Sequence, residues 1–203
     1  MRSVLVLASP DDAFGPEETG TGTGTGAETG PGTETGSSLH RVAETVARAV
    51  DDLVVACPDE QRPAVTETLA DLPHRLAVDP TANGGPISAI RTGARVATGE
   101  SVAVVAGNVP TVDTRLLEDC VEGCETAAVP HSDGRLYPLH AVYDRGAIRT
   151  ACDRTLATGS RRLLDALVRL DDVTAVDAPE LGENAPANGP ASDTITPASV
   201  VRS

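Results

Sequence analysis

The sequence predicts an α/β domain of three layers, in which helices cover both faces of a mostly parallel central sheet. Short apolar runs that can form buried strands alternate with stretches in which apolar residues recur at helical spacing. Residues 101–106 (S-V-A-V-V-A) are continuously apolar after the first residue, which is typical of a parallel strand covered on both faces. At 203 residues, the chain is long enough to bury a sizeable core as one domain.

The individual elements follow from these runs and from the turn residues between them. Apolar runs predict strands at residues 3–8, 53–57, 75–78, 101–106, 126–129, 136–143 and 173–176. Helical spacing predicts helices from Ser38 to Val50, around residues 63–72, from Pro86 to before Gly99, along residues 116–124, around residues 148–156 and from Ser160 to Leu170. Turn residues fall at Asn83-Gly84-Gly85-Pro86 and at the hairpin-type pair Asp133-Gly134.

Composition divides the chain into one domain, a loop and a tail. Residues 1–177 are predicted as a single α/β domain, interrupted at residues 16–36 by repeats of Thr and Gly with several Glu residues. Such a segment cannot bury a core, so it is predicted as a disordered loop. Residues 178–192 are rich in Pro, Ala, Asn and Gly and are predicted as a linker, which leads to a short tail at residues 193–203.

The charge is strongly negative. The formal net charge is −14, and all 16 basic residues are arginine, without a single lysine. This excess disfavours phosphate-backbone contacts and therefore a nucleic-acid partner. It also suggests a cytoplasm rich in salt, because molar salt screens charge repulsion to within about 3 Å.

Other features indicate a cytoplasmic protein without a membrane partner. No run approaches the roughly 20 apolar residues of a membrane span, and the N-terminus lacks the pattern of a signal peptide. The four cysteines are too few and too scattered for a disulfide scaffold. With only one Phe, two Tyr and no Trp, the core must be built from aliphatic residues.

Polar residues follow two of the predicted strands. Asp79 closes the apolar run of the strand at residues 75–78, and Asn108 follows the strand at residues 101–106. Because ligands of open α/β sheets bind at the carboxyl ends of the strands, Asn108 is a candidate for a binding site. Each also has a structural interpretation, since Asp before Pro forms turns and Asn can satisfy backbone groups at a strand end.

In the order of its segments, the chain resembles the molybdenum cofactor guanylyltransferases, a family of nucleotidyltransferases with a Rossmann-like domain. The resemblance begins near Leu39 and rests on V-D-P-T-A-N-G-G-P-I-S-A-I, A-V-V-A-G-N-V-P, G-R-L-Y-P-L-H-A-V-Y, A-T-G-S-R-R-L-L and D-T-I-T-P-A-S-V. It implies transfer of GMP from GTP to molybdopterin, with Mg²⁺ and with release of pyrophosphate. By position, the implied nucleotide-binding residues are Leu7, Ala8, Ser9, Asp79, Gly85 and Pro86, and Asn108 stands where the family has a metal-binding Asp.

The sequence departs from the family's pattern at the positions that contact phosphate in that family. The family's first loop contains two glycines followed by Arg and Lys, whereas this chain has Ser9-Pro10-Asp11-Asp12. Proline cannot donate an N–H, and carboxylates repel a triphosphate. Asn108 offers Mg²⁺ a neutral oxygen where the family has a carboxylate. Impaired catalysis is therefore expected, and no residue is assigned a catalytic role.

Of four other groups of residues, three have both a functional and a structural interpretation. Cys120 and Cys124 have the i, i+4 spacing of a metal pair but lie on an apolar stripe typical of a core. His140 lies between apolar residues as a buried histidine or a ligand. The pairs Arg91/Arg95 and Arg161/Arg162 suit a solvated helix face, although the second pair could also meet the phosphate of a pterin.

Three functions remain open from the sequence. The chain can be a divergent guanylyltransferase, a non-catalytic protein that binds a nucleotide or pterin and assists a molybdoenzyme maturation protein, or a nucleotidyltransferase with another acceptor. The acidic first loop and Asn108 favour the second.

Overall fold

The computed structural model describes residues 2–8, 38–81 and 84–181. Its strands are β1 (Arg2–Leu7), β2 (Asp52–Pro58), β3 (Arg75–Asp79), β4 (Ser101–Ala106), β5 (Ala127–Ser132), β6 (Arg135–Leu136), β7 (Val142–Asp144) and β8 (Val173–Asp177). Its helices are α1 (Ser38–Ala47), α2 (Arg62–Thr68), α3 (Gly85–Val96), α4 (Thr114–Glu122), α5 (Arg145–Ala157) and α6 (Leu163–Leu167). Two short 3-10 helices, Asp59–Gln61 and Pro138–His140, precede α2 and β7.

The strands form one eight-stranded sheet in the order β3-β2-β1-β4-β7-β5-β6, with β8 paired to β5. The neighbours β3, β2, β1 and β4 are parallel to one another. β7 is antiparallel to both β4 and β5, and β8 is parallel to β5. The predicted mostly parallel central sheet is therefore confirmed.

Helices cover both faces of this sheet. Val4 and Val6 of β1 join the core beneath α1, α2 and α4, whereas Leu5 and Leu7 join the core beneath α3, α5 and α6. This alternation follows from the two-residue period of a strand. It confirms the three layers that the sequence predicts.

The strand predicted at residues 136–143 is wrong in its middle part. β6 ends at Leu136, the 3-10 helix Pro138–His140 follows, and β7 begins only at Val142. Pro138 has no N–H to give to a sheet ladder, and the N–H of His140 instead donates to the carbonyl of Tyr137 at 3.0 Å. The phenol of Tyr143 stabilises this turn by donating to the carbonyl of Pro138 at 2.7 Å.

Several predicted helices are shorter in the structure, including the first and the last. α1 ends at Ala47, so Val50 lies beyond it, and α6 spans only Leu163–Leu167. Ser160 does not begin α6, because its Oγ accepts a hydrogen bond from the N–H of Arg162 at 3.2 Å within a turn. The hairpin turn is confirmed, since φ is positive at both of its central residues, Asp133 (51°) and Gly134 (74°).

The chain beyond β8 continues against the sheet as far as residue 181. The N–H of Ala178 donates to the carbonyl of His131 at 2.9 Å, and Ser132 donates to the carbonyl of Pro179 at 3.3 Å. The predicted loop at residues 16–36 and most of the predicted linker and tail lie outside the described residues. Among the described helices, none is long and apolar enough to cross a lipid bilayer.

Candidate functional site

The candidate site lies where the parallel strands β1 to β4 end. Leu7 is buried at the end of β1, and its carbonyl accepts a hydrogen bond from the N–H of Gly107 at 2.9 Å. The N–H of Ala8 donates to the carbonyl of Ala56 on β2, also at 2.9 Å. These bonds keep the ends of β1, β2 and β4 together, so Leu7 and Ala8 lie at the edge where a ligand is expected. Ser9 lies outside the described residues.

Asp79 is a buried carboxylate at the end of β3, with 7% of its surface exposed. Its Oδ1 accepts two hydrogen bonds of 3.0 Å, from the backbone N–H of Thr81 and from the hydroxyl of Ser88. The first bond is the turn-forming interaction typical of Asp. The second ties the end of β3 to the first turns of α3, which fixes the position of Asp79 relative to that helix.

Gly85 and Pro86 begin α3 at the same edge. Gly85 has φ of +67°, a conformation that favours glycine, and a Cβ built there would meet nothing within 4 Å. Pro86 suits the first helical turn because the N–H that it lacks would have no partner inside the helix. The start of α3 therefore presents open backbone next to Asp79.

The neighbouring Gly84 has a packing role that the sequence analysis did not identify. A Cβ on Gly84 would come within 2.5 Å of Cβ and 2.8 Å of Oγ of Ser88. Any larger residue would push Ser88 away from Asp79. The signal in the sequence was the pair of glycines before Pro86. Gly85 has a positive φ, and Gly84 leaves room for Ser88.

Asn108 follows β4 in a turn and is half-buried. It contributes a neutral amide, and it lies apart from the candidate Asp79, because β2 and β1 separate β4 from β3 in the sheet. Oδ1 of Asp79 already accepts two hydrogen bonds. Among the described residues, no group of three or more His, Cys, Asp and Glu side chains is placed to hold a metal ion. The described candidates at this edge are therefore one carboxylate and one neutral amide, whereas Mg²⁺ prefers carboxylates and substrate phosphates.

A cleft of about 540 Å³ adjoins the site, beginning at Val109, immediately after Asn108. It lies between the start of α4, the turn around His140 and the segment after β8. Its charged lining residues are mostly acidic and include Asp113, Asp119, Asp177 and Glu180 beside the single arginine Arg115. No pattern in the sequence indicates this cleft, because its three walls are far apart in the chain.

His140 lines this cleft from the 3-10 turn. Burial lowers the pKa of its imidazole to about 4, so the side chain is neutral at physiological pH. The sequence left open a buried histidine or a ligand, and a neutral imidazole facing a cleft is compatible with both. Tyr137, also at the cleft, has the guanidinium of Arg135 at 5.6 Å from its ring centre.

The two candidate cysteines are part of the core on the α4 side of the sheet. Cys120 is fully buried, and burial raises the pKa of its thiol to about 12. Cys124 is half-buried, and its thiol donates to the carbonyl of Val142 at 3.6 Å. These environments favour the packing interpretation over a metal pair.

The two arginine pairs have different environments. Arg91 and Arg95 of α3 both approach Asp153 of α5, at 3.8 and 3.1 Å. Because these two arginines connect two helices, the predicted position on a solvated helix face is only part of their role. Arg161 and Arg162 are exposed in the turn between α5 and α6.

Comparison with known proteins identifies the fold and the family. Residues 34–173 match the MobA-like NTP transferase domain. The chain belongs to the MobA-like NTP transferase family. The match does not include β1, which carries Leu7.

Curated relatives in this family carry a consistent name. A probable molybdenum cofactor guanylyltransferase of Natronomonas pharaonis is 34% identical over 137 residues, covering 66% of this chain and 68% of the relative. The protein of the same name in Haloferax mediterranei is 32% identical over 150 residues, covering 72% and 70%.

Two solved structures have a fold similar to the observed architecture. Molybdopterin-guanine dinucleotide biosynthesis protein A of Archaeoglobus fulgidus has a TM-score of 0.61 at 22% identity, covering 90% of this chain and 86% of that one. The 2-C-methyl-D-erythritol 4-phosphate cytidylyltransferase of Thermus thermophilus has a TM-score of 0.54 at 16% identity, covering 92% of both chains. These likenesses establish the nucleotidyltransferase fold.

Proposed function

We propose that the protein is a GTP:molybdopterin guanylyltransferase with low turnover. The observation that carries this proposal is the family match over residues 34–173, together with relatives named molybdenum cofactor guanylyltransferase at 32–34% identity. In the reaction, a phosphate oxygen of molybdopterin attacks the α-phosphorus of GTP. The bond from that phosphorus to the β-phosphate oxygen breaks, and pyrophosphate leaves.

Residues at the carboxyl edge would position the nucleotide. The backbone at Leu7, Ala8 and Ser9 would lie along GTP, and Asp79 would accept hydrogen bonds from it. Gly85 and Pro86 begin a helix of 12 residues, whose first N–H groups carry partial positive charge. The tie between Ser88 and Asp79 supports this proposal, because it holds the carboxylate in one place before a ligand arrives.

Low turnover would follow from the charges near the phosphates. Nucleotidyl transfer depends mostly on positioning and on electrostatic stabilisation. The first loop carries Asp11 and Asp12 where the family has cations, and Asn108 brings no charge. Mg²⁺ would therefore enter as part of the GTP substrate, and the protein would hold it weakly.

A non-catalytic function is the second candidate, favoured by the same two departures. In that case the protein would hold a nucleotide or pterin in the cytoplasm and assist a molybdoenzyme maturation protein. A third possibility, a nucleotidyltransferase with another acceptor, would keep the fold and change the ligand in the cleft next to Asn108.

One assay separates these functions. The full-length protein is incubated with MgGTP and molybdopterin at molar salt, and both pyrophosphate and GMP-modified pterin are measured. We expect slow formation of both products, and competition by GTP analogues but not by CTP. Pyrophosphate without modified pterin would mean that GMP passed to water, and pyrophosphate release that increases when other phosphate or alcohol acceptors are added would indicate another acceptor.

A matched pair of variants ties the assay to the site. Asp79→Asn is expected to reduce turnover, whereas Asp171→Asn, at an exposed position, is expected to leave it unchanged. Neither product from the wild-type protein would contradict guanylyltransferase activity and favour the non-catalytic function.

A further inference from the structure

The end of β2 carries a buried acceptor oxygen that lacks a donor. Gln61 closes the 3-10 helix Asp59–Gln61 that follows β2, and its Oε1 is buried. No hydrogen-bond donor in the described part of the chain reaches this oxygen. Because an unpaired buried acceptor keeps the full cost of its desolvation, such atoms are rare in folded proteins. A ligand that donates a hydrogen bond to Gln61 would remove this cost.

Gln61 lies at the same edge of the sheet as Asp79. Pro58, the last residue of β2, is paired in register with Asp79, at the usual strand separation of about 5 Å. A 3-10 helix rises about 2 Å per residue, so Gln61 lies about 6 Å beyond Pro58. On the other side of β2, Ala56 accepts the hydrogen bond from Ala8. The 3-10 helix therefore extends the strand that separates Ala8 from Asp79, the two positions proposed to contact the nucleotide.

The residues before the 3-10 helix offer a ligand little hydrogen bonding. Cys57 is buried, and burial raises the pKa of its thiol to about 11, so it remains a neutral and weak hydrogen-bonding group. Pro58 has no N–H to donate. Gln61 is therefore the neutral side chain at this end of β2 that can form a strong hydrogen bond.

The charge of this segment distinguishes between the two ends of a nucleotide. Asp59 and Glu60 are exposed beside Gln61, so residues 59–62 carry two carboxylates against the single guanidinium of Arg62. Carboxylates repel phosphates, which disfavours the triphosphate at this position. A nucleobase is uncharged, and guanine presents two neighbouring donors, N1–H and the 2-amino group, on one edge. The acceptor oxygens after β2 therefore suit the base of the nucleotide.

We infer that Gln61 selects guanine, with its Oε1 accepting a hydrogen bond from N1–H or from the 2-amino group of the base. This inference rests on the proposed function, for which it names a residue that determines base specificity. Adenine has an acceptor nitrogen at position 1 and no 2-amino group, so it leaves Oε1 unpaired. A site that hydrogen-bonds one ligand rejects an analogue without the donor, because the buried group of the protein then has no partner.

The test compares Gln61→Leu with Glu67→Leu in the full-length protein. Leucine is similar to glutamine in size but forms no hydrogen bond, and Glu67 is an exposed residue of α2, six positions further along the chain. Affinities for MgGTP, MgITP and MgATP are measured by calorimetry at one fixed salt concentration. ITP is GTP without the 2-amino group, so it separates the two donors of guanine.

The expected result is a loss of preference for guanine. Gln61→Leu should weaken GTP binding about tenfold, which corresponds to about 1.4 kcal/mol, and should change ATP binding by less than about twofold. Glu67→Leu should leave the ratio of the GTP and ATP affinities unchanged. Weaker binding of GTP alone would assign Oε1 to the 2-amino group, and equal weakening of GTP and ITP would assign it to N1–H.

The stability of the ligand-free protein gives a second readout. Gln61→Leu replaces an unpaired acceptor by an apolar side chain, so its midpoint of thermal unfolding should rise by about 2 °C. A lower midpoint, combined with equally weakened binding of GTP and ATP, would show that Gln61 supports the fold and would overturn the inference.

The failure of this inference and the failure of the proposed function give different results. An unchanged preference for GTP over ATP in Gln61→Leu would overturn the role of Gln61, as would a wild-type protein that binds both nucleotides equally or binds neither. A wild-type protein that prefers GTP but transfers no GMP to molybdopterin would contradict the proposed function, and the calorimetric comparison would still decide the role of Gln61.

Discussion

The amino and carboxyl edges of the same sheet each hold one buried carboxylate, but in different surroundings. At the amino edge, Asp52 accepts hydrogen bonds from the hydroxyl of Ser3 (2.6 Å), from the backbone and side chain of Thr98 (3.0 and 2.9 Å) and from the guanidinium of Arg75. At the carboxyl edge, Asp79 accepts hydrogen bonds from one backbone N–H and one hydroxyl, both at Oδ1. A fully surrounded carboxylate stabilises the fold, whereas a partly surrounded one can still bind a ligand.

Asp52 and its hydrogen-bond partners form a cluster that joins several strands at the amino edge. Ser3, besides donating to Asp52, accepts a hydrogen bond from the N–H of Gly99 at 2.8 Å. The starts of β1, β2 and β3 and the loop before β4 are thereby joined through one carboxylate. Burial of the Asp52 carboxyl opposes ionisation, but the bonds from Ser3, Thr98 and Arg75 outweigh it and lower the pKa of Asp52 to about 2.

Removing the amino-edge carboxylate should have the largest effect on stability. Asp52→Ala leaves Ser3 and Thr98 without their acceptor and Arg75 without its ion pair, which should lower the free energy of unfolding by about 3 kcal/mol. Denaturant titration of both proteins measures this difference. The control Asp171→Ala, at an exposed position, should change the free energy by less than about 0.5 kcal/mol. If Asp52→Ala also lowers the free energy of unfolding by less than about 0.5 kcal/mol, the carboxylates of the two edges do not differ in their contribution to stability.

Acid should weaken the amino edge in a defined pH range. The pKa of Asp52 is lower in the folded protein than the ordinary 3.8, so its stabilising contribution is complete above pH 3.8 and is lost as pH falls towards 2. The loss should be about 2 kcal/mol, at about 1.4 kcal/mol for each pKa unit. Stability measured between pH 5 and pH 2 checks this.

The isosteric variant Asp52→Asn identifies the source of that loss. It should be less stable than the wild-type protein at neutral pH, and the difference should shrink as pH falls from 3.8 to 2. A difference that stays constant with pH would exclude the Asp52 carboxylate as its origin.

At the carboxyl edge, removing a hydrogen-bond donor to Asp79 should lower the free energy of unfolding less than Asp52→Ala does. Ser88→Ala removes one of the two hydrogen bonds to Asp79, which should lower the free energy of unfolding by about 1 kcal/mol. Ser101→Ala, at the amino end of β4, serves as the control. The same Ser88 variant should weaken GTP binding, because Asp79 is then no longer tied to α3. A large loss of stability with unchanged ligand affinity would assign Asp79 a structural role alone.

The parts of the fold that depend on local pattern were predictable from sequence. The buried strand β4 has the predicted bounds, and the hairpin at Asp133-Gly134 follows from its turn chemistry. The interruption of the strand after Leu136 was missed because the apolar run after the hairpin turn was given more weight than Pro138. α6 was predicted too long because Leu170 keeps helical spacing beyond the helix end.

The Asp52 network and the cleft depend on contacts between segments that are far apart in the chain. Local sequence patterns do not predict such contacts. Asp79 and Asn108 were placed at the correct edge because each follows a strand that the sequence predicts well. The partners of Asp52 are separated from it by 23 to 49 residues, and the cleft beside His140 joins three separate segments. No local pattern indicates which of these segments meet, so the network and the cleft required the structure.

The measurement that tests the proposed function most directly is a calorimetric titration of the full-length protein and of Asn108→Asp with GTP and Mg²⁺ at molar salt. We expect weak binding by the wild-type protein, with a dissociation constant of about 0.1–1 mM, and binding about tenfold tighter by Asn108→Asp, because a carboxylate returns to the end of β4. Nanomolar Mg²⁺-dependent binding of GTP by the wild-type protein would contradict the view that its carboxyl edge has lost the charges that a triphosphate requires.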